Sequence, residues 1–125
     1  GAADRGARDD AEAQGLVLSR LSTLTTMSPV LQPIAQRLRD HGPALLAGVD
    51  DPHDELLALV WGPRFDREHA LGLWASLSRR QPQEAVLTLP AILSVADRFD
   101  GLDKGAQQRL RRLIVRHRAL SDAAT

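Results

Sequence analysis

The stretch DKGAQQRLRRLIVRHRAL, residues 103–120, decides the fold class. Within it Ala106, Leu110, Leu113, Ile114, His117 and Leu120 recur at i, i+3, i+4 and i+7, the spacing that gathers apolar side chains along one side of an α-helix. Asp103 stands where such a helix needs an N-cap, an oxygen able to accept one of the first unpaired backbone N–H groups. The pattern predicts an amphipathic helix from Lys104 to about Leu120.

Working back along the chain, QPQEAVLTLPAILSVADRFDGLD (81–103) carries Pro90 at its centre. An interior proline removes a donor and crowds the preceding turn at a cost of about 3 kcal/mol. Two short helices are therefore expected, Pro82 to about Leu87 and Pro90 to Phe99, with one kinked helix as the alternative. Ile92, Leu93, Ala96 and Phe99 point inward on this reading, and Gly101 fits a left-handed C-terminal cap. Phe65-Asp66-Arg67-Glu68 opens an earlier helix with Ala70, Leu73, Trp74 and Leu77 on one side and Arg79-Arg80 at its carboxyl end, where cations suit the dipole. Asp51-Pro52-His53-Asp54-Glu55 combines a cap, a proline at the first helical position and two first-turn acids. Leu56 to Trp61 then follows, apolar on every side.

Nearer the front, Pro33 marks a bend or a new start. Ile34, Ala35 and Leu38 face inward from it, and Gly42-Pro43 is expected to end that helix. A first helix begins near Asp9-Asp10-Ala11-Glu12 and carries Val17, Leu21 and Leu24 at helical spacing, with Leu16 and Leu18 beside them. Residues 1–8 are polar and read as a flexible lead-in, leaving 9–125 as a single domain.

Composition agrees with this reading. Alanine and leucine supply 39 of the 125 residues while Val, Ile and Thr supply only 15, a bias towards straight-chain helix formers. The expectation is an all-α bundle of five to seven short helices punctuated by seven prolines. With no cysteine, disulfide scaffolds, thiolate zinc sites and cysteine nucleophiles are excluded together. No apolar run approaches the roughly 18 residues of a membrane span, so a cytoplasmic protein is the default expectation. A lone lysine among 16 basic residues, with abundant alanine, suggests a GC-rich bacterial source.

Chemistry is harder to find. No two histidines share the three- or four-residue spacing of helical metal ligands, no nucleophile turn such as G-x-S-x-G occurs, and Gly42, Gly48, Gly62 and Gly101 sit singly at breaks rather than in a phosphate-cradling loop. No catalytic, cofactor or metal site is expected, and His117 reads as a core or boundary histidine.

Two features stand out from the core pattern. Arg109, Arg112 and Arg116 form one stripe on the last helix, able to meet an acidic protein, phosphates or solvent. Leu56 to Trp61 and Ala85 to Leu93 are apolar around the whole helical circumference, more than so small a bundle readily encloses. The expected function is a non-enzymatic interaction module, a regulatory adaptor or anti-activator that covers a partner protein, for instance a transcriptional regulator, and that homodimerises. Trp61, Trp74, Val86 and Leu89 serve as apolar anchors, and Arg109, Arg112 and Arg116 set register and encounter rate. The alternative is a nucleic-acid binder using the last helix. Against it stand a formal net charge of zero and the lack of an aromatic residue interleaved with the arginines.

Overall fold

The computed structural model describes residues 28–124. The helix expected from Asp9 to Leu24 and the side chain of Leu120 lie outside the described set. Within it the chain is all-α. A 3₁₀ turn, Pro29–Leu31, leads into α1 (Gln32–Leu45), followed by α2 (Pro52–Leu59), α3 (Arg67–Arg80), α4 (Pro82–Asp100) and α5 (Lys104–Ala124).

Aspartates start three of these helices as their positions predict. Asp51 accepts a hydrogen bond from the Asp54 N–H at 3.2 Å, Asp66 from the His69 N–H at 3.1 Å, and Asp103 from the Ala106 N–H at 2.7 Å. Each satisfies one of the orphan donors of a helix start. The new start near Pro33 is also observed, since α1 opens at Gln32 with proline in its first turn.

Three expectations about helix ends need correction. First, α1 does not stop at Gly42-Pro43 but continues to Leu45. The residue before a proline is normally driven from helical geometry by a clash between its Cβ and the proline ring, and Gly42 has no Cβ. Second, α4 is one 19-residue helix straight through Pro90. Pro90 lies on the exposed side, while Ala85, Thr88, Ala91, Ile92, Val95, Ala96 and Phe99 are buried on the other. Burial of that continuous face outweighs the proline penalty of about 3 kcal/mol. Third, Gly101 caps α4 at φ −84°, outside the left-handed region. The positive-φ glycine among the described residues is Gly48, at +87°, in the turn that closes α1.

Helices α3 and α4, joined through Gln81 alone, pack along each other, and α1 lies across α4 and α3. Helix α2 packs on α5 and touches α3, while the 3₁₀ turn touches both α1 and α5. One contiguous core joins all these elements. It includes Leu31, Ile34, Leu59, Leu77 and Phe99, with Leu110, Leu113 and Ile114 from α5. Phe65 and Phe99 meet edge-on with ring centroids 6.4 Å apart. Buried Gln107 donates to the Pro63 carbonyl at 2.9 Å and the Phe99 carbonyl at 3.3 Å, fixing the α2–α3 connection over the end of α4. Among the described residues, the buried His41 Nδ1 finds no hydrogen-bond partner.

No described helix is long and apolar enough to cross a membrane.

Candidate functional site

The arginines of α5 divide into two groups. Arg111 and Arg118 work within the fold. Arg111 donates from Nε to the Val60 carbonyl at 2.7 Å and from Nη2 to the Gly62 carbonyl at 3.0 Å. Arg118 pairs with Asp51 at 2.6 Å and Asp54 at 2.7 Å, tying α5 to the first turn of α2. Arg109, Arg112 and Arg116 are exposed and make no ion pair with a described residue.

The Arg111 bonds bracket Trp61. By holding the carbonyls of both neighbours, Arg111 fixes the chain where it leaves α2 and sets the Trp61 ring outward, 72% exposed. That ring borders a shallow depression of about 260 Å³ together with Leu57, Val115, Gln108, Arg111, Arg112 and Arg116. Val115 is itself exposed. The depression thus has an aromatic and aliphatic floor and a cationic border, and among the described residues no acidic side chain lines it.

Of the residues expected to bind a partner, Trp61, Arg112 and Arg116 come together here. Arg109 is exposed on the same helix but does not line the depression. Trp74 is half-buried and structural, its indole N–H donating to the Ala85 carbonyl at 2.8 Å across the α3–α4 contact. Val86, 72% exposed, and Leu89, half-buried, stand on α4 and do not line the Trp61 depression. Sequence also predicted Leu93 to point inward, yet it is exposed, and with Val86 and Leu87 it gives α4 an apolar outer face. Trp61 lies beside Arg112 and Arg116 although no aromatic is interleaved with the arginines along the chain. Trp61 and these two arginines lie 51 or more positions apart in the chain.

A second concavity was not anticipated from the sequence. A groove of about 460 Å³ runs between α1, the turn after it, the start of α2, and α5. Ala35, Leu38, Gly42, Leu46, Leu56, Leu110, Leu113 and Ile114 make its walls almost wholly apolar. At one end His53 and His117 meet, Nε2 to Nδ1 at 3.1 Å, with ring centroids 5.3 Å apart. Burial holds the His117 imidazole below its ordinary pKa, and the neighbouring His53 adds to the effect. Helices α1 and α5 flank this groove instead of packing along each other, and small residues at 35, 42, 47 and 48 keep it open. Those small residues are the one trace of it that a sequence carries.

Other polar clusters are ties between helices. His69 Nε2 lies 2.6 Å from Glu55 Oε2, linking α3 to α2. At the far end of the molecule Asp100 accepts from the Phe65 N–H at 2.7 Å and from Arg67 at 2.9 Å, and Arg67 also reaches Asp97 at 2.9 Å. Burial raises the Asp100 carboxyl, but the Phe65 N–H and the Arg67 guanidinium together overcome it and leave its pKa below the ordinary value. Among the described residues no three His, Asp or Glu side chains are grouped to hold a metal ion.

Comparisons of the chain with protein-family models, with curated proteins and with solved structures return no match.

Proposed function

We propose that this protein is a non-enzymatic interaction module whose Trp61 face covers an acidic, partly apolar segment of another protein. One observation carries the reading: a fixed, outward tryptophan beside two arginines that make no ion pair with a described acidic residue. Aromatic and arginine side chains are the residues most enriched among binding anchors, and a rigid ring costs little entropy to bury. The arginines would steer an acidic partner and set its register. A regulatory adaptor or anti-activator works by such covering.

Charge argues against this face pairing with itself. A two-fold interface brings a patch close to its own copy, which would set Arg111, Arg112 and Arg116 against one another. Homodimerisation, if it accompanies the function, belongs to the uncharged Val86, Leu87 and Leu93 face of α4.

A second reading is favoured by the same pairing, because a base can stack on Trp61 while arginines neutralise phosphates. Fluorescence separates the two. In a Trp74→Phe background, Trp61 is the sole tryptophan and reports directly on its surface. Under the leading proposal its emission shifts on titration with a helical peptide bearing glutamates and one leucine or phenylalanine anchor, and Arg112→Glu/Arg116→Glu weakens that binding by about tenfold or more. A mixed-sequence single-stranded oligonucleotide should leave the emission unchanged even at low salt. Quenching by the oligonucleotide, with affinity that falls steeply as salt rises, would instead establish the nucleic-acid reading.

A further inference from the structure

The groove between α1 and α5 is distinct from the Trp61 face, and its occupant can be argued from the chain itself. We infer that the segment 9–24 of this same chain seats in the groove as a helix, turning the apolar side of Val17, Leu21 and Leu24 onto Ala35, Leu38, Gly42 and Leu113.

Three observations point to this occupant. The described chain begins at Ser28, and the 3₁₀ turn that follows touches both α1 and α5, the two long walls of the groove. A segment preceding that turn therefore enters at the groove's own end and can double back antiparallel to α1. Its length also fits. Sixteen helical residues rise about 24 Å, against about 21 Å for the fourteen residues of α1. Finally, its pattern matches the wall. Val17, Leu21 and Leu24 fall at i, i+4 and i+7, the narrow apolar stripe suited to a cleft between two helices.

Tethering decides between this segment and a second copy of the chain. A short linker holds the segment at an effective concentration of about millimolar, far above the protein concentrations at which a second copy competes. The register follows from the geometry. Val17 lies seven residues, about 11 Å, into the helix from Leu24, and residues 25–27 span the remaining few ångströms to the turn, so Val17 comes level with Gly42, about 15 Å along α1. Gly42 is also a clean point of intervention, because a Cβ built there meets no atom within 4 Å.

The full-length protein tests this in two ways. In hydrogen–deuterium exchange, amides 16–24 should be protected about 100-fold or more over a free peptide. That protection should vanish in Gly42→Phe, whose ring fills the groove, and in Leu21→Asp, while α3 and α4 stay protected. Gly42→Ala controls for helix propensity and should retain it. Because these 125 residues contain no cysteine, Val17→Cys/Gly42→Cys can be oxidised without side reactions, and it should close within one monomer. Free-peptide exchange at 16–24 in the unaltered protein, protection that survives both Gly42→Phe and Leu21→Asp, or a disulfide that forms only between two chains would each overturn the inference.

Discussion

The two sides of the bundle use the same kind of sequence to opposite ends. Around α3 and α4 the apolar residues close on each other. Small residues at Ala85, Thr88, Ala91 and Ala96 let α3 and α1 approach α4, and the Asp100 clasp pins the chain entering α3 to the end of α4. Around α1 and α5 equally apolar residues stand apart, with small side chains bordering a void. Small residues therefore do not specify closeness by themselves. They allow it where a helix face is continuous, as in α4, and leave a groove where no described helix comes forward to use the space.

The largest effect should fall on the closed side. Phe99 is fully buried at the meeting of α4, Phe65 and the α5 start, so Phe99→Ala should cost about 3–5 kcal/mol in urea unfolding. Val86→Ala, on the outer face of the same helix, should stay within about 0.5 kcal/mol. Equal losses at the two positions would mean that α4 is covered on both sides in solution and that the contrast drawn above is false.

A smaller effect sharpens the same side. Asp100→Ala removes the acceptor for the Phe65 N–H and one of the two carboxylates on Arg67, for a loss of about 1–2 kcal/mol. Asp97 also binds Arg67, but its side chain is 75% exposed, and Asp97→Ala should cost less than about 1 kcal/mol. Thermal or urea midpoints of the two variants, measured together, rank them. If Asp97→Ala is the more damaging, the clasp does not depend on its hydrogen bond to the backbone.

How much of this could be read in advance depended on distance along the chain. The Asp51 and Asp103 caps were legible because a cap is settled within four residues. The α5 stripe was legible because its period is local. Pro43 and Pro90 misled for the converse reason. Whether a helix tolerates a proline depends on what else it buries, and for α4 that is a face packed against α1 and α3. Trp61 was singled out as a large aromatic in an apolar run, but its exposure follows from Arg111, fifty positions later, gripping the carbonyls around it. Val86 and Leu89 were grouped with Trp61 because all four anchors are large and apolar, a likeness that says nothing about sharing a surface. The groove drew walls from residues 35 to 117 and left no local mark beyond the small residues at 35, 42, 47 and 48.

The last contrast between the two sides is electrostatic. On the open side, burial and then the adjacent His53 hold the His117 imidazole below its ordinary pKa, so the native state prefers it neutral. As pH falls through about 6.5, the value in an unfolded chain, the unfolded state takes up that proton first, and the native state loses stability relative to it. The decline ends once pH passes below the native value, where both states are protonated. Asp100 on the closed side behaves differently. Its lowered pKa contributes stability above the ordinary carboxylate range, and that contribution disappears only on further acidification, below about pH 4. Asp51, lowered mainly by the Asp54 N–H and then by Arg118, adds to this second window. Urea midpoints taken stepwise from pH 8 to pH 3 should therefore fall twice. His117→Leu should abolish the first fall and keep the second, whereas Asp100→Asn should blunt the second and keep the first. A first fall that survives His117→Leu would place the neutral-pH sensitivity elsewhere and would remove the histidine pair as the reason the two sides respond to acid differently.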